Sequence, residues 1–369
     1  MKLIRFFLVL TLATVLSLFA VFPSSNGNVS IDYGAIKDSI PCAVTPAGDV
    51  RISSRLYELL FGKSTEDEKV LLIPGGTIFG AKIKQSYVSV QSPGDVSELK
   101  AGDKIISVNG KKVETASEVK KAIQELSGKA VNLVCLRGGK EISVKIAPKE
   151  SGGEYKLGIV LKDGAAGIGT VTYIDPKTGE FGGLGHGICD QDTGEVIDFT
   201  EGQVTGVILS GVKRGEEGKP GELSGLLTDK VSGTMLSNTE CGVFGKLDKI
   251  PDITSAAPIE IAHRDEVHEG EATILSTVKI GGVKEFKIQI CDVNKSSTGT
   301  KSFKIKVTDP TLIAITGGVV RGMSGSPIIQ NGKLVGAVTH VLINDPTTGY
   351  GIFIENMLNA ANIPMAKAS

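Results

Sequence analysis

Ser324 lies in a short glycine-rich segment, Gly322–Pro327, whose composition suits a nucleophilic hydroxyl group. Glycines beside a serine let the backbone turn tightly enough to expose the hydroxyl and to aim N–H groups at one point. The amides of Gly322 and Ser324 are the donors that would stabilise an oxyanion formed when the hydroxyl attacks a carbonyl carbon. The segment therefore predicts acyl-transfer chemistry, and a glycine-rich β-turn is the alternative that it leaves open when taken alone.

His186 is the histidine best suited to act as a base for this hydroxyl. A serine hydroxyl is a weak nucleophile unless a neighbouring base takes its proton, and the chain has four histidines. His186 has glycine on both sides, so its neighbours pack it poorly and it can face a cleft. His263 and His268 flank a charged stretch that is typical of a solvated loop. His340 lies on the strand predicted after the serine hairpin, where the wall of a substrate pocket is expected.

The acid that would orient the imidazole has several candidates in the sequence. Asp309 ends a predicted strand shortly before the serine segment, and Pro310 follows it. If the acid instead comes from the same half of the domain as His186, the candidates are Asp190, Asp192, Asp198 and Asp229. The residues alone leave this choice open.

A mostly β domain is predicted around these residues, after a polar linker at 149–154. Residues 155–345 contain short apolar runs, frequent glycines and little helical periodicity, a pattern typical of a sandwich or barrel. The glycine-flanked serine, the proline after it and the hairpin at 331–340 resemble the nucleophile loop of chymotrypsin-like serine peptidases. We therefore predict a double β-barrel peptidase domain over residues 155–369.

A smaller domain is predicted ahead of it, over residues 70–148. Short alternating strands surround an L-x-A-G-D-x-I-x-x-V-N-G run at 99–110, which ends in a tight Asn-Gly turn. A helix follows, capped by Thr115 or Ser117, with its apolar residues on one face. This order of elements resembles the PDZ domains of bacterial proteases.

The PDZ resemblance implies a peptide-binding site. PDZ domains bind an extended peptide along a sheet edge, and a glycine-rich loop holds the peptide carboxylate with its backbone N–H groups. The matching stretch lies directly before a predicted strand, and the facing groove should use the helix around Val119 and Ile123. The residues predicted to contact the peptide are Gly75, Gly76, Phe79 and Gly80.

The N-terminal segment, residues 1–27, predicts export across a membrane. Lys2 and Arg5 precede an apolar run, Phe6–Phe22, which a polar stretch ends. This is the order of a signal peptide, and the run is also close to the length of a membrane span, so a cleaved signal and a retained anchor both fit it. Residues 28–69 form a mixed polar segment to which the sequence assigns no function.

The composition argues against several other functional classes. With 40 basic and 41 acidic residues, no tryptophan and 5% aromatic residues, the chain lacks the charge and the stacking surface of a nucleic-acid-binding protein. The five cysteines form no C-x-x-C pair, and no H-E-x-x-H motif occurs. We therefore expect neither a metal site nor a cofactor.

The order of these features is similar to that of the stage IV sporulation protein B family of serine peptidases. The similarity rests on the export segment, the PDZ-like domain, the G-L-G-H-G-I run at 183–188 and the G-M-S-G-S-P-I-I-Q-N-G-K-L-V-G-A-V-T-H run at 322–340. It implies that Ser324 is the nucleophile, His186 the general base and Asp309 the acid. It also implies that Thr339 contacts the substrate near its primary pocket.

The same resemblance implies a biological role. Family members are exported from the forespore into the space between two membranes. There they cleave a regulator of an intramembrane metalloprotease, which releases a late mother-cell sigma factor, and they also cleave themselves under control that involves the PDZ domain. A non-enzymatic exported PDZ adaptor that binds peptide C-termini is the alternative, and the presence of both His186 and Ser324 argues against it.

Overall fold

The computed structural model describes residues 69–249 and 257–362, together with two short paired strands, β1 (Ala43–Val44) and β2 (Val50–Arg51). The predicted export segment and most of residues 28–69 lie outside the described residues. Of the helices in the described ranges, none is long and apolar enough to cross a membrane. All elements from β3 onward belong to the unit that begins at Lys69.

The described elements are mostly strands. Those before residue 250 are β3 (Leu71–Pro74), β4 (Ile78–Ser92), β5 (Lys104–Val108), β6 (Lys111–Lys112), α1 (Ala116–Glu125), β7 (Val131–Arg137), β8 (Lys140–Ile146), β9 (Lys149–Ser151), β10 (Glu154–Lys156), β11 (Val160–Ile174), β12 (Glu180–Gly183), β13 (Phe199–Lys213), β14 (Glu222–Thr239) and β15 (Gly242–Leu247). Those after it are β16 (Ile259–Glu260), β17 (Gly270–Ser276), β18 (Lys284–Cys291), β19 (Phe303–Val307), α2 (Pro310–Thr316), β20 (Pro327–Gln330), β21 (Lys333–Leu342), β22 (Asp345–Phe353) and α3 (Ile354–Ala360).

Six strands form a first barrel. β4, β11, β12, β15, β14 and β13 pair antiparallel in that order, and β13 pairs back to β4, so the sheet closes on itself. Its apolar interior includes Phe79, Phe181 and Met235. Phe79 and Phe181 meet edge to face with ring centroids 5.6 Å apart. This barrel carries His186, which follows β12.

A second barrel is closed by β17, β18, β19, β22, β21 and β20. Alternation along β18 sends Phe286, Ile288 and Ile290 into its core. This barrel carries Ser324, in the turn before β20. The predicted fold class, mostly β with a PDZ domain and a double β-barrel, is confirmed.

The PDZ domain is built from α1 and the sheet of β5, β7 and β8. Thr115 caps α1, because its hydroxyl accepts from the Glu118 amide while the Glu118 carboxylate accepts from the Thr115 amide. The helix buries Val119 and Ile123 in the domain core. Both residues that were expected to line a peptide groove therefore pack inward.

This domain is inserted into the first barrel, which differs from the predicted boundaries of 70–148 and 155–369. β4 and β11 are each 15 residues long. Ile78 and Thr170 pair with each other inside the barrel, whereas further along the same two strands Val90 pairs with Leu161 within the PDZ domain. The sequence gives no sign of this arrangement, because β4 passes from one domain to the other without a proline or glycine at the crossing.

Residues 188–197 form a hairpin shortly after His186, called here the His hairpin. An ion pair attaches it to the PDZ domain. The hairpin backbone pairs through the Asp190 amide, which donates to the Glu195 carbonyl at 2.8 Å. The Lys162 ammonium on β11 lies 2.8 Å from the Asp190 carboxylate, and the two side chains are 19% and 4% exposed. Burial alone would raise the pKa of Asp190, but Lys162 and two backbone amides lower it overall.

Replacing Lys162 with methionine should lower the free energy of unfolding by about 3 kcal/mol, because the Asp190 carboxylate would stay buried without a counterion. Denaturant unfolding measures the change. The matched control is Lys149→Met, since Lys149 and Asp95 pair at 3.7 Å on the surface with side chains 81% and 97% exposed, and such pairs contribute little. Equal unfolding midpoints for the two variants would contradict a stabilising role for the buried pair.

Candidate active site

The turn that carries Ser324 has the backbone that its glycines predict. Gly322 and Gly325 have φ values of +95° and +94°, in the region that favours glycine. A Cβ at Gly325 would lie 2.0 Å from the Thr170 carbonyl oxygen, so no other residue fits there without displacing the backbone. The Ser324 hydroxyl is partly exposed and donates to the Thr339 carbonyl at 2.8 Å.

The four amides from Gly322 to Gly325 differ in whether they have an acceptor. Met323 N donates to Val320 O and Gly325 N donates to Val338 O, at 3.1 and 2.7 Å. The amides of Gly322 and Ser324, by contrast, have no hydrogen-bond acceptor among the described residues. They are the two predicted oxyanion donors, and they remain available to a ligand.

Two threonines on β11 hold the turn from the opposite barrel. Thr170 donates from its amide to Ser324 O at 3.0 Å and from its hydroxyl to Gly322 O at 2.8 Å. The Thr172 hydroxyl donates to Gly325 O at 2.8 Å, and both side chains are fully buried. The sequence analysis did not single out these residues. The available signal was a pair of threonines that alternate with apolar residues near the end of β11.

His186 follows a sharp turn in which Leu184 and Gly185 both have positive φ. Its Nδ1 lies 2.8 Å from Gly187 O, so Nδ1–H is the donor and the lone pair stays on Nε2. Burial lowers the pKa of His186 below its ordinary value, although the Gly187 bond opposes the shift. The imidazole is therefore neutral and able to accept a proton at neutral pH.

The structure brings Ser324 and His186 into one cluster around the Thr339–His340 segment. Ser324 bonds to the Thr339 carbonyl, and the His186 ring lies beside the His340 ring with centroids 5.2 Å apart. Thr170 links the Ser324 turn and the His186 segment a second time, since its carbonyl accepts from Leu184 N at 3.1 Å. The hydroxyl must rotate away from Thr339 O before it can donate to the imidazole.

Asp309 does not join this cluster. It is the N-cap of α2, where its carboxylate accepts from the amides of Thr311 and Leu312 at 2.8 and 3.0 Å. A third amide, from Lys287, donates to its other oxygen at 3.3 Å. An aspartate followed by proline is a common helix start, and that function accounts for the sequence pattern that suggested a catalytic acid.

The four other candidate aspartates also lie outside the cluster. Asp190 and Asp192 face Lys162 at 2.8 and 3.5 Å. Asp229 is fully exposed beside Lys82, and Asp198 lies at the surface after the His hairpin. The group that orients His186 in this structure is therefore the Gly187 carbonyl and not a carboxylate.

Thr339 supports the site through its backbone. Its side chain is 1% exposed, and its hydroxyl lies 2.9 Å from Thr300 O and 3.2 Å from Tyr350 O, both acceptors inside the second barrel. The hydroxyl is therefore not presented to a substrate. This differs from the sequence analysis, which implied that Thr339 contacts the substrate. The Thr339 carbonyl instead receives the Ser324 hydroxyl.

The predicted carboxylate-binding loop belongs to the first barrel and not to the PDZ domain. The amides of Gly75 and Gly76 donate to Thr172 O and Val171 O at 2.9 and 2.8 Å, so they are not free to hold an anion. Phe79 is 3% exposed in the barrel core, and Gly80 pairs with β11 and β13. Their glycine-rich pattern reflects close packing between strands.

No metal centre accompanies these residues: within the described ranges, no group of three or more His, Cys, Asp or Glu side chains is placed to hold a metal ion.

The pKa shifts of two imidazoles predict a loss of stability in mild acid. The pKa of His340 is lowered to about 4, mainly by burial and further by repulsion from positive charge on His186 and Lys301. Burial also lowers the pKa of His186. Because the denatured chain takes up these protons first, stability should be full above about pH 6.5 and should fall as the pH drops toward the native pKa values.

NMR titration of the imidazole Cε1 protons in the native and denatured chain checks this expectation. Both native midpoints should lie below the denatured ones. A native His340 midpoint at or above the denatured value would refute the assignment of a desolvated, neutral ring.

Comparisons with known proteins agree with this architecture. A model of the SpoIVB peptidase S55 family matches residues 153–358, and a PDZ domain model matches residues 86–137. Serine protease HTRA1 of Xenopus tropicalis is 38% identical over 97 residues, which are 26% of this chain and 20% of that protein. The matched stretch thus spans about a fifth of the length of the curated relatives.

Two solved structures are also similar to parts of the chain. The PDZ domain of an SdrC-like protein from Listeria monocytogenes matches 22% of this chain and 93% of its own length at 25% identity, with a TM-score of 0.20. The active form of the Rv3671c protease from M. tuberculosis matches 56% of this chain and 77% of its own at 15% identity, with a TM-score of 0.31. Because the peptidase family model spans more than half of the 369 residues, the chain belongs to the SpoIVB peptidase S55 family.

Proposed function

We propose that this protein is an exported serine endopeptidase. The observation that carries the proposal is that a partly exposed serine hydroxyl, two amides without an acceptor among the described residues and a neutral imidazole belong to one cluster, which Thr170 and the Thr339–His340 segment connect. These are the groups that acyl transfer requires: a nucleophile, donors for the oxyanion and a base. Membership of the SpoIVB peptidase S55 family supports the same reaction.

The geometry suggests the following sequence of steps. Ser324 Oγ attacks the peptide carbonyl carbon while its proton passes to His186 Nε2. The amides of Gly322 and Ser324 stabilise the resulting oxyanion. The intermediate collapses, the C–N bond breaks, and the leaving amine takes the proton from His186. A water molecule, with His186 again as base, then hydrolyses the acyl-enzyme and restores the serine hydroxyl.

In this scheme the Gly187 carbonyl holds the imidazole in its reactive tautomer. It accepts Nδ1–H at 2.8 Å, which keeps Nε2 unprotonated. A carbonyl group carries only a partial negative charge, so it stabilises the imidazolium less than a carboxylate would. Slow turnover suits a protease that acts once in a regulatory step.

A peptide ligand for the PDZ domain is also proposed, at a different place from the one that the sequence suggested. α1 faces the start of β11, where Ala116 N donates to the Asp163 carboxylate at 2.8 Å. Gly158 precedes this stretch with a φ of +73°, and Val160 is 51% exposed. An extended peptide C-terminus would add to β11 between this turn and α1.

The biological role that we propose is regulatory. The peptidase acts outside the cytoplasm of the forespore, cleaves a membrane-associated regulator of an intramembrane metalloprotease, and thereby triggers sigma-factor activation. It also cleaves itself, with the PDZ domain as a control element. The family membership and the PDZ domain support this role, and the apolar run Phe6–Phe22 behind Lys2 and Arg5 supports export with membrane association.

Replacing Ser324 with alanine should abolish both self-cleavage and labelling by a fluorophosphonate probe, a loss on the order of 10⁶-fold in rate for a nucleophile knockout. Ser326→Ala is the matched control, because its hydroxyl is buried and donates to Ser276 at 3.0 Å. That variant should still be labelled. If the unaltered protein is not labelled, the peptidase proposal fails, and an exported PDZ adaptor becomes the better hypothesis.

Thr170→Val should slow fluorophosphonate labelling by about tenfold, because the Gly322 carbonyl loses its donor and the oxyanion amides lose their fixed orientation. The side chain keeps its size and branching, so the barrel core should remain packed. Thr205→Val serves as control: this buried hydroxyl donates to Gly80 O at 3.4 Å, away from the turn. Equal labelling rates for the two variants would show that Thr170 does not position the turn.

A further inference from the structure

His340 lies beside the catalytic imidazole without taking part in the steps described above. It is on β21, directly after the residue whose carbonyl receives the Ser324 hydroxyl. The His340 and His186 rings are 5.2 Å apart at their centroids and tilted by 37°, a partly stacked arrangement. The second barrel thus places an aromatic ring against the side chain that the first barrel supplies as a base.

The hydrogen bonding of His340 argues against a purely structural role. A structural histidine normally uses its ring nitrogens to bond neighbouring groups. The Nδ1 atom of His340 is buried and has no partner among the described residues. A buried polar atom without a partner is destabilising, so an apolar ring would suit this strand position better if packing were the only requirement.

The surroundings of His186 suggest that a neighbouring ring could stabilise its protonated form. During the reaction its ring becomes an imidazolium in a desolvated site, and the orienting group on Nδ1 is a neutral carbonyl, not a carboxylate. A cation next to an aromatic face is attracted to it, most strongly where water is excluded. A neutral imidazole offers that face together with a nitrogen lone pair.

We propose that His340 is a positioning residue for the reaction: as a neutral ring it restrains the His186 imidazole and stabilises its protonated form. The groups that face His340 are consistent with its neutrality, because His186 and Lys301 would both repel a positive charge there. Lys301 itself lies over the Tyr350 ring at 5.1 Å. The inference rests on the proposed peptidase function, since it assigns a role within that reaction.

The test compares His340→Phe, which keeps an aromatic face, with His340→Leu, which does not. The readout is the rate of fluorophosphonate labelling at Ser324 in the full chain as a function of pH. This probe carries no peptide side chains, so a residue that only lines a substrate pocket would not change its rate. We expect labelling to fall by about tenfold in the leucine variant and by less in the phenylalanine variant.

The acidic limb of the pH profile provides a second readout. Its midpoint should move to lower pH in His340→Leu, because His186 loses a neighbour that favours its protonated form. His268→Leu is the control, since that imidazole is exposed and bonds Glu269 O and Asn331 away from the site. If His340→Leu does not fold, His340→Ile replaces it, as β-branched residues suit strands.

The outcomes separate the inference from the function on which it rests. The positioning role is supported if His340→Leu is labelled more slowly than His340→Phe, both more slowly than the unaltered protein, and if the acidic midpoint of His340→Leu lies at lower pH. Wild-type rates and midpoints in both folded variants would overturn it while leaving the peptidase assignment intact. Absence of labelling in the unaltered protein would overturn the peptidase assignment itself.

Discussion

Thr170 donates one hydrogen bond from its amide to Ser324 and another from its hydroxyl to Gly322, and its carbonyl accepts from Leu184. Ser324 belongs to the second barrel, whereas Leu184 and His186 follow a strand of the first. Thr170 is therefore one buried residue through which the two parts of the candidate site meet, together with the contact between the His186 and His340 rings. The Thr170 contact fixes the turn that carries Ser324 relative to the segment that carries His186.

β11 carries more than this contact. The same strand leaves the first barrel and forms part of the PDZ domain, where Lys162 pairs with Asp190 on the His hairpin. The proposed peptide groove, the hairpin beside His186 and the turn around Ser324 are thus attached to one continuous strand. An inserted PDZ domain is connected to the catalytic cluster through hydrogen-bonded backbone and a buried ion pair, with no free linker between them.

The electrostatics of the cluster follow from desolvation. Burial keeps both imidazoles neutral at physiological pH. Gly187 supplies the acceptor for His186 Nδ1–H, and two of the candidate carboxylates are engaged elsewhere: Asp190 with Lys162, and Asp309 with the first turn of α2. In the proposed reaction, backbone dipoles and an adjacent ring take the place of the charged groups that are more usual.

The amino-acid sequence by itself predicted the local chemistry. A tight turn that exposes a hydroxyl requires glycines within a few positions, which singled out Ser324, and the flanking glycines singled out His186 as the candidate base. The strand-rich character of the chain and the PDZ-like order of elements were also predicted from alternation and turn residues. Only the tertiary structure decided that Asp309 caps a helix, that Gly75 and Gly76 serve the first barrel, and that the PDZ domain is an insertion. Those outcomes depend on which distant strands pair and in which register, and the pattern of a single strand does not specify its partner.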